Sequence, residues 1–157
     1  MFLTALATIS VVTSNTPKDW VSPLFEKSRA VTEMALGKPI TKWNEGNYAQ
    51  ATYEIEKYGP IKVTYINNKT VALDITFKST PKYWTNALTE LGISTKKVTA
   101  KRGFTQDVGF WYELKGVKQL PKTWAVVFHN AQVVQRQTGD INSPASIIFT
   151  APNTANN

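Results

Sequence analysis

Residues 52–77 read TYEIEKYGPIKVTYINNKTVALDITF, and this stretch decides the fold class. Gly59-Pro60 breaks one β-rich run from the next, and Asn67-Asn68 supplies two residues tolerant of left-handed geometry for a tight hairpin. The pattern predicts three strands, Thr52 to Tyr58, Ile61 to Ile66 and Val71 to Phe77. In the last, Val71, Leu73, Ile75 and Phe77 face one way while Ala72, Asp74 and Thr76 face the other, the alternation of a half-buried antiparallel strand. One sheet face is therefore expected to be wet.

Outward from this stretch, the signals come twice. Before it, Ser22-Pro23 offers a helix start, Leu24, Val31, Met34 and Ala35 an apolar stripe, Gly37 a helix end and Pro39 a stop. After it, Thr80-Pro81 starts a second helix with Trp84, Ala87, Leu88 and Leu91 on its inner face and Gly92 at its end. Val98 to Lys101, Val108 to Leu114, Trp124 to Asn130 and Val133 to Thr138 follow as strands, with Ile147 to Thr150 as a short closing strand. Tyr53-Glu54-Ile55 is echoed by Tyr112-Glu113-Leu114, and Asn67-Asn68-Lys69 by His129-Asn130-Ala131. Trp43 to Tyr48, with Asn44, Gly46 and Asn47, is expected to be a loop.

These echoes lead to an α+β class: a degenerate tandem repeat of helix plus antiparallel meander, with the helices packed on one face of the sheet. The expected units are 17–78 and 79–150, preceded by an arm or signal remnant at 1–16 and followed by a frayed tail at 151–157. Such a layout resembles that of β-lactamase-inhibitor-type proteins and related small bacterial envelope modules. The resemblance is architectural, and no residue motif of those families lies on this chain, so it transfers no functional residue.

With 157 residues, 42% of them hydrophobic, the chain can bury a core. It contains no Cys, which excludes disulfides, thiolate metal sites and a Cys nucleophile. His129 is the one histidine, so no imidazole pair exists for a zinc site, and no metal or cofactor is expected. The formal charge of +7 is uneven. Residues 1–78 carry nine Lys/Arg against seven Asp/Glu, whereas residues 79–157 carry nine against four. An electrostatic partner should therefore meet the second half.

Phe2 to Val12 is apolar and uncharged, and Ala5-Leu6-Ala7 matches the small-x-small pattern of a signal-peptidase site. No Lys or Arg precedes the run. It is too short for a transmembrane helix, which needs about 20 residues. It reads as a signal remnant, as a strand of the same domain, or as an arm for strand exchange between subunits through residues 2–12.

Three sets of residues carry functional possibilities. His129 invites a general-base reading beside Asp107 or Glu113, but no motif supplies a nucleophile, so a water-exposed hairpin histidine is the plainer expectation. Glu54 and Glu113 form a carboxylate pair for acid–base work only if they converge within about 5 to 10 Å. The third set combines Trp111, Tyr112 and Trp124 with Lys96, Lys97, Lys101 and Arg102: large aromatics beside cations, a credible contact surface. In this set Phe110 and Tyr112 share one strand face and Trp111 takes the other.

The expected function is thus a non-enzymatic binding or assembly module, exported or envelope-associated, that meets a protein or an anionic surface through the second half. Single-strand nucleic-acid binding is the alternative, with cations for phosphates and rings for bases, although no RRM, KH or zinc-finger pattern is present. An enzyme using His129 as base is the third possibility.

Overall fold

The computed structural model describes residues 18–79, 81–105, 109–130 and 145–152. Their strands are β1 (Thr41–Glu45), β2 (Tyr48–Glu54), β3 (Pro60–Ile66), β4 (Lys69–Thr76), β5 (Thr99–Thr105), β6 (Gly109–Lys115), β7 (Ala125–Asn130) and β8 (Ser146–Thr150). All pair antiparallel in one eight-stranded sheet of order β1-β2-β3-β4-β8-β7-β6-β5. The predicted Asn67-Asn68 hairpin is present, both residues having positive φ (50° and 61°) between the paired Ile66 and Lys69.

The expected α+β class, with helices packed as a layer on one sheet face, is overturned: the fold is β-rich and its helices are short. Helix α1 (Arg29–Leu36) has eight residues and α2 (Trp84–Glu90) seven. The reason lies in the first helix signal. Ser22-Pro23 yields only a 3-10 turn over Ser22–Leu24, whose leading amides, Val21 and Ser22, donate to Asp19 Oδ1. Phe25 then turns extended and Glu26 adopts φ 61°, so the helix restarts only at Ser28, whose side chain caps it. This break separates Leu24, which is buried, from Val31 and Met34, which are not; Met34 is 87% exposed and Thr32 is the buried residue of α1. The stripe expected across them therefore does not line the core. In α2 the spacing holds, with Ala87, Leu88 and the following Leu91 buried and Gly92 closing the turn at φ 76°.

The core covers one sheet face. Alternate residues Tyr53, Ile61, Ile75, Ile147 and Phe128 form one row through it in register, flanked by Val63, Leu73, Phe149 and Val126. Much of the cover comes from irregular segments, through Val21, Phe25, Tyr58, Leu91 and Ile93. Phe25 reaches Phe149 and Trp124, with ring centroids 5.5 and 4.5 Å apart.

One further expectation is corrected. The segment from Trp43 to Tyr48 is a β1–β2 hairpin and not a loop, turning at Gly46-Asn47 with Gly46 at φ 56°. Every residue of β1 is exposed, so this edge strand has no apolar alternation to reveal it. The expected short strand at Ile147 to Thr150 is present as β8, and it lies at the centre of the sheet between β4 and β7. The expected Val133 to Thr138 strand, the arm at 1–16 and the end of the tail lie outside the described residues. No helix among the described residues is long and apolar enough to cross a membrane.

Candidate functional site

The other sheet face mixes charged and polar side chains with Val127, Ile148 and Trp111, and these three are only partly withdrawn from water. One register row runs Lys62, Asp74, Ile148, Val127, Glu113, Lys101 from β3 to β5, with charges at both ends and an aliphatic centre. The next runs Thr76, Ser146, His129, Trp111, Gly103. Its last pair is a close approach: a Cβ on Gly103 would stand 2.1 Å from Trp111 Cζ2, so the indole occupies the space a side chain would take.

The opposite face of β5 and β6 is a different surface. Arg102 pairs in register with Tyr112 and Phe104 with Phe110, on the core side but beyond the cover over the sheet's centre. The Arg102 guanidinium lies 3.6 Å from the Phe110 ring centroid, and Phe104, 44% exposed, stands 5.1 Å from Phe110. A guanidinium stacked on an aromatic face keeps its charge outward at little entropic cost.

The predicted site residues thus divide. Lys101 and Trp111 lie on the polar face; Arg102 and Tyr112 lie on the other, Tyr112 against Phe128 with centroids 6.3 Å apart. Lys96 and Lys97 are exposed in the turn before β5. Gly116, at φ 82°, allows the β6–β7 connection to meet that turn, because a Cβ there would stand 2.6 Å from the Lys97 carbonyl oxygen. The lysines of both segments consequently share one end of the sheet. Trp124 is 8% exposed and packs on Phe25, so it is held in the core rather than displayed. Phe104 was not among the residues singled out from sequence; its alternation with Arg102 on an exposed edge strand was the available signal.

Glu54 and Glu113 do not converge. Five strand spacings separate β2 from β6, about 24 Å. Glu113 instead lies 3.6 Å from Lys115 Nζ.

His129 is half-buried on the polar face and not on a water-exposed hairpin tip. Burial lowers its pKa below the ordinary 6.5, against the Asp74 charge, which raises it. Asp74 is shifted upward by burial, opposed by Lys62 and His129, and its Oδ1 has no hydrogen-bond partner among the described residues. Ser146, His129 and Asp74 share this face and are the residue types of a hydrolase triad. A triad needs hydrogen-bond contact between neighbours. The register places Asp74 two strands from His129, with Ser146 on the strand between them, and Asp74 Oδ1 is unpartnered. Asp107 lies outside the described residues, among which no three His, Asp or Glu converge to hold a metal ion.

No family model and no curated protein matches the chain. A solved structure of a cysteine-rich secretory protein from Staphylococcus aureus subsp. aureus Mu50 is similar over 87% of this chain and 48% of its own, at 10% sequence identity and a TM-score of 0.47. This chain thus spans about half the length of that protein.

Proposed function

We propose that the chain is a non-enzymatic binding module that docks a protein partner on the β5–β6 end of its sheet. The observation that carries this reading is the Arg102–Phe110–Phe104 cluster on an exposed edge strand, an aromatic and cationic combination of the kind that dominates contact energies. Lys101 on the reverse face and Lys96 and Lys97 in the turn before β5 add positive charge along the same edge and supply long-range attraction for an acidic partner, and Trp111 adds an aromatic on the reverse face. Tyr112, the register partner of Arg102, supports this surface from the Phe128 side. The apolar run Phe2 to Val12 with Ala5-Leu6-Ala7 favours an exported or envelope location.

The test is affinity capture from fractionated host extracts with the full chain, comparing the wild type with R102E/F104S. A protein retained by the wild type, and bound about tenfold or more weakly by the variant, supports the reading. Equal retention by both overturns it. Retention of single-stranded nucleic acid in its place, released steeply by added salt, identifies the nucleic-acid alternative. Intact-mass analysis of the same fractions tests export: a chain cut near Ala7 outside the cytosol supports it, and a cytosolic chain retaining Phe2 to Val12 opposes it.

A further inference from the structure

The β6–β7 connection borders a half-open cavity of about 580 Å³. Its apolar lining is withdrawn from water: Leu114, Val117 and Trp124 are buried, and Leu120 and Pro121 half-buried. Its cationic lining is not, since Lys115, Lys118 and Lys122 are exposed. Glu113 offsets Lys115 at 3.6 Å, whereas among the described residues no carboxylate pairs with Lys118 or Lys122. Two polar atoms of the same segment, Trp124 Nε1 and Gln119 Oε1, are buried without a hydrogen-bond partner among the described residues. Unpartnered buried groups are uncommon in folded proteins, where a protein group, an ordered water or a ligand satisfies most of them.

We propose that this cavity binds a small amphiphilic anion, an apolar body carrying one acidic group. The volume lies within the range of about 300–1,000 Å³ typical of small-molecule sites, and the apolar floor with few polar groups is their usual lining. Lys118 and Lys122 select for an acid over a neutral ligand, and their aliphatic stems extend the apolar wall while the ammonium heads stay in water. An apolar floor offers nothing to a polyanion, which needs a charged groove that tracks its backbone. The site is preformed: Phe25 holds the Trp124 ring, and Gly116 is pinned beneath the Lys97 carbonyl. It is separate from the Arg102–Phe104 surface and stands whether or not that surface docks a partner.

Decanoate is the probe, titrated into the full chain by calorimetry beside K118E/K122E and K27E/K69E, which make the same charge change at the cavity and away from it. Saturable one-to-one binding, weakened about tenfold or more by K118E/K122E and unchanged by K27E/K69E, is expected. The indole N–H resonance lost in W124F should shift when decanoate is added to the wild type. Absence of saturable binding overturns the proposal, as does equal weakening in both charge variants. Binding to phosphatidylglycerol vesicles without binding of free decanoate also overturns it and makes the lysines a membrane contact.

Discussion

Trp111 and Gly103 are cross-strand partners whose fit is exclusive: the indole fills the position a Cβ at residue 103 would occupy, 2.1 Å from Cζ2. The pair forms the edge of the polar sheet face and fixes where its largest aromatic lies.

Gly103→Ala should therefore move the indole rather than unfold the sheet. The clashing atoms are the far end of a side chain free to swing outward, and Ala is the better strand residue. The expected change in stability is within about 1 kcal/mol. Tryptophan emission should shift to the red and iodide quenching should increase; unchanged emission would show that the indole has another support.

His129 and Asp74 make a second prediction, readable from a single imidazole resonance because the chain has one histidine. The folded pKa of His129 lies below 6.5, so its contribution to stability is intact above that pH and declines as pH falls toward the folded value. Asp74 pulls the other way on the ring. Asp74→Asn removes that attraction, so the His129 midpoint should drop further by NMR titration. The same substitution removes a carboxylate with an unpartnered oxygen, and should raise stability at pH 7 by about 1 kcal/mol. A midpoint that stays put or rises would disprove the coupling.

Tyr53 and Tyr65 share a buried hydroxyl contact of 2.9 Å. Burial raises both pKa values, most for Tyr53. A raised folded pKa means stability is fully present below the unfolded value of 10 and is lost as pH climbs through the folded one. Two of the six tyrosines should thus resist ionisation in the alkaline range until the sheet opens, a step visible in phenolate absorbance. Tyr53→Phe should cost about 1 kcal/mol in urea unfolding by removing one of the two hydroxyl partners of Tyr65, the other being Thr32.

The division between the two halves of the first helix signal is open to measurement. Met34→Ala should change stability by less than about 0.5 kcal/mol, since the side chain is already in water. Leu24→Ala should cost about 2–5 kcal/mol by opening a cavity beneath Phe25. Equal costs for the two would restore a continuous helix packed on the core.

Local pattern and residue chemistry are legible along the chain. Period-two alternation marked Val71 to Phe77 as a half-buried strand, Asn67-Asn68 set the hairpin, the Trp84-Ala87-Leu88-Leu91 spacing set the inner face of α2, and the absence of Cys removed thiol chemistry. The same alternation divided Phe110 and Tyr112 from Trp111, because adjacent strand residues must point apart. Features that depend on contacts between distant segments emerge only from the folded chain. Asp19 ties the Ser22-Pro23 signal into a turn and so leaves Met34 in water. β8 enters the middle of the sheet, a placement fixed by pairing to β4 and β7 and invisible in five residues read alone. Lys118 and Lys122 gather with Trp124 around a cavity because the β6–β7 connection folds back. Glu54 and Glu113 look equivalent along the chain but stand five strands apart, since likeness of local sequence carries no information about distance in a sheet.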